Sequence, residues 1–194
     1  MNIHELEIKL DQIKRNLGSI HKIYGELPTS ALKHFAAISQ TVNPKNILEI
    51  GFNRGASTAA WLLTSSANVL SIDLRTESVG SKYLTKHFKP RFRYLCLNSL
   101  YIPIMQEFWK GYFDLAFIDG HHIYPSVERD TTNCINLNIP FIVFDDYYHP
   151  HPVIRNNIQT IIQKENRLEI VETFPAESGG HQSGGQCLTK VLKE

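Results

Sequence analysis

The chain has 194 residues, 42% of them hydrophobic and 20% charged, with a formal net charge of +1. That length fits one domain with a single substantial core, and the near-neutral balance argues neither for nucleic acid nor for an anionic membrane as partner. Cys96, Cys134 and Cys187 are too scattered for a disulfide framework or a CxxC zinc site, which implies a reducing compartment. The N-terminus lacks the apolar run of a signal peptide, and no stretch reaches the length of a membrane span. The expectation is one soluble, cytoplasmic domain over residues 1–194.

Residues 3–24 place Ile3, Leu6, Leu10, Ile13, Leu17 and Ile20 at helical spacing, and Gly25 and Pro28 break the pattern. This predicts an amphipathic N-terminal helix over 1–25 that covers one edge of the domain; a dimer contact or a lid over a substrate is the alternative. A second helix is predicted from Ser30 to Val42, stopping before Asn43-Pro44. Then comes Asn46–Ile50 as a short strand, the turn Gly51-Phe52-Asn53-Arg54-Gly55, and a helix that starts near Ser57 and Thr58 and runs through Ala59–Thr64. A strand, a tight glycine turn and a helix start make the first unit of a nucleotide-binding α/β sheet, and a helix N-terminus favours an anionic group. The next strand, Asn68–Ile72, ends in Asp73. That acid falls about twenty residues beyond Gly51, a spacing suited to binding ribose hydroxyls.

Residues 78–90 read as helix or loop, and the basic run KYLTKHFKPRFR reads as a solvated face. Phe92–Leu97 is a third strand ending in Asn98-Ser99. Two short apolar runs, Leu115–Ile118 and Pro140–Phe144, have the length of buried parallel strands, with an amphipathic segment between them. A further helix is predicted over Arg155–Asn166. Leu168–Phe174 and Gln186–Leu192 alternate like an antiparallel pair, joined by the glycine-rich loop PAESGGHQSGG.

The chemistry collects at the ends of the two apolar runs. Asp119 follows the first, Asp145 and Asp146 the second, with His121, His122, His149 and His151 close behind. If the runs are neighbouring parallel strands, all these groups emerge at one carboxyl edge, where open α/β sheets bind ligands. Carboxylates suit a hard cation such as Mg²⁺, Mn²⁺ or Ca²⁺, and an adjacent imidazole suits a general base. Singly, Asp119 could instead cap a helix and Asp145-Asp146 could form a turn. His121 could simply orient its loop, and His149 and His151 read as loop or surface residues.

A dinucleotide fingerprint would need glycine where Asn53 stands, and no P-loop is present. The spacing Glu49-x-Gly51-x-Asn53-x-Gly55 resembles motif I of the class I S-adenosylmethionine-dependent methyltransferases. The pattern IDGHHxY…VxxD…FDDY, together with motif I, resembles the metal-dependent small-molecule O-methyltransferases, of the macrolide-sugar and catechol types, over roughly Ile47 to Tyr148. That resemblance implies a Rossmann-like three-layer α/β sandwich with seven strands, mostly parallel, and a C-terminal antiparallel pair. It implies S-adenosylmethionine held by Glu49, Gly51, Asn53, Gly55, Ser57, Asp73, Asn98, Ser99 and Asp119. It further implies Mg²⁺ or a similar ion on Asp119, Asp145 and Asp146, with His122 taking the proton of a substrate hydroxyl. The acceptor would be a small molecule with adjacent hydroxyls, a sugar or polyphenol. Oligomeric state is left open. The alternatives are a metal-free methyltransferase of the same fold and a catalytically silent nucleotide-binding module.

Overall fold

The computed structural model describes residues 2–17, 27–76, 78–175 and 184–193. Residues 18–25 of the expected N-terminal helix and most of the 175–185 loop lie outside them. Helix α1 (Ile3–Asn16) starts on a capping box, in which the Asn2 side chain accepts from the Glu5 N–H at 2.9 Å. Its apolar stripe buries Leu6, Leu10 and Ile13. Helix α2 (Leu32–Val42) stops where Asn43 turns left-handed at φ 48°.

The α/β part then alternates β1 (Asn46–Ile50), α3 (Ala56–Thr64), β2 (Asn68–Asp73), α4 (Val79–Phe88) and β3 (Phe92–Cys96). A 3-10 segment (Ser99–Met105) and the short α5 (Gln106–Trp109) lead to β4 (Leu115–Ile118), α6 (Tyr124–Asn136), β5 (Phe141–Phe144) and α7 (Pro152–Lys164). The antiparallel pair is β6 (Leu168–Phe174) and β7 (Gln186–Val191). Of residues 78–90, left between helix and loop by their sequence, Val79–Phe88 are helical, because Ser78 caps the first turn. The helix expected from Arg155 begins three residues earlier, with Pro152 in its first turn, where the missing N–H costs nothing.

These strands form one sheet in the order β3-β2-β1-β4-β5-β7-β6, with β7 running antiparallel between β5 and β6. The apolar runs are continuous because the sheet is covered on both faces. Ile47, Leu115 and Phe117 face the core under α1, α2 and α3. Leu48, Ile50, Ala116 and Ile118 face the core under α6 and α7. On the first face Phe35, Trp61 and Phe117 pack ring to ring at 4.5–5.6 Å, worth about 0.5–1.5 kcal/mol per pair beyond area burial. Strand order reverses between β1 and β4, and that opens a crevice at their carboxyl ends. Among the described residues no helix is long and apolar enough to cross a membrane.

One expectation needs correction. Within the basic run the lysines and Arg93 are exposed, but Arg91 is not a solvated charge. Its guanidinium donates to the carbonyls of Leu62 (2.9 Å), Ser65 (2.9 Å) and Ala67 (3.3 Å), closing the C-terminal end of α3. Arg91→Ala is therefore expected to cost about 1–3 kcal/mol, or about 2–4 °C of melting temperature per kcal/mol for a domain of this size. Arg91→Lys should recover part of the loss, since an ammonium cannot fork to several carbonyls. A thermal melt in which Arg91→Ala matches wild type would contradict the capping role.

Candidate active site

The glycine turn after β1 is shaped by close backbone approach. Gly51 has φ 101°, and a Cβ there would lie 2.1 Å from the carbonyl oxygen of Asp119. No side chain fits that position. Asn53 occupies φ 48°, so the residue standing where the commonest motif has a glycine still adopts a left-handed backbone. Asn is among the few L-residues that visit this region readily. Its Oδ1 accepts from Arg75 Nη1 at 3.1 Å. Asp73 braces the same turn from β2, its Oδ2 accepting the N–H groups of Phe52 and Asn53, each at 2.9 Å.

Glu49 lies behind this turn. It is fully buried, and its carboxyl accepts from the Ser57 hydroxyl at 2.6 Å and from the hydroxyls of Thr58 and Ser71. Burial outweighs those three donors and pushes its pKa from the ordinary 4.5 up to about 7. Of the expected cofactor residues, Gly51, Asn53, Ser57, Asp73, Asn98, Ser99 and Asp119 line one open cavity of about 1390 Å³. Glu49 and Gly55 do not reach its wall. Gly55 instead turns the chain at φ 90°, packed on the Phe52 ring.

The same cavity ends at the carboxylates. Parallel register sets Ile118 beside Phe144, so Asp119 and Asp145 leave the sheet side by side. Their N–H groups continue the ladder, Asp119 to the Ile50 carbonyl (2.9 Å) and Asp145 to the Ile118 carbonyl (3.1 Å). Asp146 follows at φ 60°, with the Gly184 N–H donating to its Oδ1 at 3.2 Å. His122 Nε2 lies 3.3 Å from Asp146 Oδ2 and 3.7 Å from Asp119 Oδ1. Burial, and then the charge of Asp146, hold the Asp119 carboxyl well above the usual range. Asp145 is raised likewise, by burial first and then by Asp119 and Asp146. The four expected groups are thus brought together. Among the described residues, however, no three His, Cys, Asp or Glu side chains stand ready as a metal-ligand set.

His121, His149 and His151 sit on the cavity rim, and His149 Nδ1 accepts the His151 N–H at 3.0 Å. Two wall residues, Gln186 and Arg129, carry no signal in the sequence, and a third, Asp130, stands there only as the acid of the VxxD pattern. Gln186 donates from Nε2 to Asp145 Oδ1 at 2.7 Å. Asp130 and Arg129, on α6, each keep one buried polar atom (Oδ1 and Nε) without a hydrogen-bond partner. Burial raises the Asp130 carboxyl, against the opposing hydrogen bond from Ser99.

A family model described as a methyltransferase domain matches residues 48–147. The chain belongs to that family. No curated protein sequence matches it. Among solved structures, the O-methyltransferase from Bacillus cereus in complex with SAH superposes with a TM-score of 0.73 at 16% identity, covering 95% of this chain and 90% of that one. TomG from Streptomyces achromogenes, an O-methyltransferase involved in tomaymycin synthesis and solved with SAM, gives 0.70 at 15%, covering 97% and 90%. SAH-bound PaMTH1 from Podospora anserina gives 0.67 at 13%, covering 97% and 88%. At these identities the likeness shows the class I methyltransferase fold, with the seven-stranded sheet and terminal antiparallel pair expected from the sequence.

In this methyltransferase domain Glu49 acts as an internal strut joining β1, β2 and α3. Its raised pKa carries a definite sign. The folded state holds a proton that the unfolded state releases, so the stability Glu49 contributes is complete below about 4.5 and is lost as pH rises through about 7. Glu49→Gln, which keeps hydrogen-bonding capacity without ionising, should shrink the fall in melting temperature between about pH 5 and about pH 8. An unchanged pH slope would contradict this.

Proposed function

We propose that the chain transfers the methyl group of S-adenosylmethionine to a hydroxyl of a small molecule, a sugar or polyphenol with adjacent hydroxyls. In this reading His122 is the base, and Asp119, Asp145 and Asp146 hold a divalent cation, Mg²⁺ or a similar ion. The observation that carries it is the single cavity running from the Gly51 turn and Asp73 to His122 and the three carboxylates. The donor set is oxygen-rich, as a hard cation requires. Burial first, and then repulsion from neighbouring carboxylates, raises Asp119 and Asp145, and a bound cation would favour their ionised forms.

Bound there, S-adenosylmethionine supplies a methyl activated by its sulfonium, and the cation would lower the pKa of a coordinated hydroxyl. The chain's own residues do the rest. The Gly51 turn lets backbone approach the cofactor, and Asp73 offers an acceptor to ribose. His122 Nε2 takes the hydroxyl proton as the oxygen–methyl bond forms and the sulfur–methyl bond breaks. Holding oxygen and methyl in line supplies much of the acceleration. The partner in this reading is a small molecule in the cytoplasm, not nucleic acid or membrane.

A second reading has its own support. The 3.3 Å contact of His122 with Asp146 makes a His–Asp pair that could act without metal. Methyl transfer to a panel of diols and catechols, before and after dialysis against chelator, separates the two. The metal reading expects activity to vanish on chelation and in Asp145→Asn, and to return to the wild type with Mg²⁺. Survival of full activity would leave the metal-free pair. On either reading His122→Asn should lower kcat about 10²–10⁴-fold with cofactor affinity unchanged. An unaffected kcat would remove His122 as the base.

A further inference from the structure

Asp145 is held from behind by a buried chain of two residues that take no part in the site's chemistry. Gln186 opens β7, and the antiparallel register that sets Phe144 opposite Cys187 brings it across from Asp145. Its side chain is 1% exposed, and Nε2 donates to Asp145 Oδ1 at 2.7 Å. Its Oε1 meets Nδ1 of His34, in the first turn of α2, at 2.8 Å. His34 is itself buried and lies against the Phe174 ring at 5.4 Å.

The hydrogen-bond inventory gives this chain a direction. An amide oxygen accepts and does not donate, so His34 must carry its proton on Nδ1. With Oε1 committed to His34, the amide NH₂ faces Asp145 and pins one oxygen of that carboxylate. The reversed amide would set Oε1 against the carboxyl and require His34 in the Nε2–H tautomer. Burial disfavours the charged imidazole, which leaves the two neutral tautomers as the alternatives.

We infer that His34 and Gln186 are positioning residues for Asp145: His34, fixed as the Nδ1–H tautomer, locks the Gln186 amide so that Asp145 is presented to the site in one orientation. The consequence for metal affinity rests on the proposed function; the relay itself does not. Partners behind a metal ligand that fix its orientation are typically worth 10–100-fold in affinity.

The test uses the full chain labelled with ¹⁵N, with long-range ¹H–¹⁵N correlation of the His34 ring, and Mn²⁺ titration with S-adenosylmethionine present. Wild type should show His34 as Nδ1–H, and Gln186→Met should release the ring toward Nε2–H. Mn²⁺ affinity should fall about tenfold or more in Gln186→Met and His34→Leu. In His34→Asn, which keeps a donor at the δ position, it should stay within about threefold of wild type. Cofactor affinity, unchanged in all three variants, reports that each is folded. An Nε2–H tautomer in wild type overturns the relay, as does unchanged Mn²⁺ affinity in Gln186→Met. Absence of Mn²⁺ binding by wild type overturns the metal part of the proposed function instead, and the wild-type tautomer then decides the relay alone.

Discussion

The structure depends on one close approach, the packing of the Gly51 backbone against the carbonyl of Asp119. A single added carbon at Gly51 would meet that oxygen at 2.1 Å, and its φ of 101° is one that L side chains rarely adopt. The contact joins the turn after β1 to the turn after β4, the two strands flanking the point where strand order reverses. The end of the cavity suited to a nucleoside and the end carrying acids and imidazole are therefore one unit. Asp73 stiffens it by holding the N–H groups of Phe52 and Asn53 from the third strand involved.

Around that unit the buried acids divide by their partners. Glu49 is surrounded by hydroxyls and serves the interior; Ser57, Thr58 and Ser71 donate to its carboxyl and offset part of the cost of its burial. Asp119 and Asp145 are raised first by burial and then by acidic neighbours, Asp146 acting on Asp119, and Asp119 and Asp146 acting on Asp145. Clustered carboxyls displaced from their ordinary pKa in a cleft are a mark of functional sites, because a stable core has no use for such repulsion. The arrangement is held by backbone ladder bonds at Asp119 and Asp145, which keep the acids together despite their repulsion.

Much of this is legible in the sequence. The strands were readable because a sheet covered on both faces needs short continuous apolar runs, as in Leu115–Ile118. Acids at strand ends were readable because carboxyl edges are where side chains escape the core. Asn53 looked like a defect in the glycine motif. Its backbone nonetheless turns left-handed at φ 48°, a conformation that glycine adopts freely. What stayed hidden was contact between distant residues. His34 and Gln186 meet across 152 positions, and nothing in either local pattern announces it. The sequence hides the role of Arg91 because a basic run looks alike whether its charges meet water or helix carbonyls. Glu49 matched a motif whose spacing cannot say which way a side chain on a fully buried strand points.

The central claim is that the Gly51 turn, with Asn53 in place of glycine and Asp73 as brace, forms a working site for S-adenosylmethionine. Calorimetric titration of S-adenosylmethionine into the purified full chain, cleared of any carried-over cofactor, tests it most directly. The account predicts saturable binding at one site per chain. No heat of binding and no protection of the fold at saturating cofactor would contradict it, and the functional reading of the cavity would fall with it.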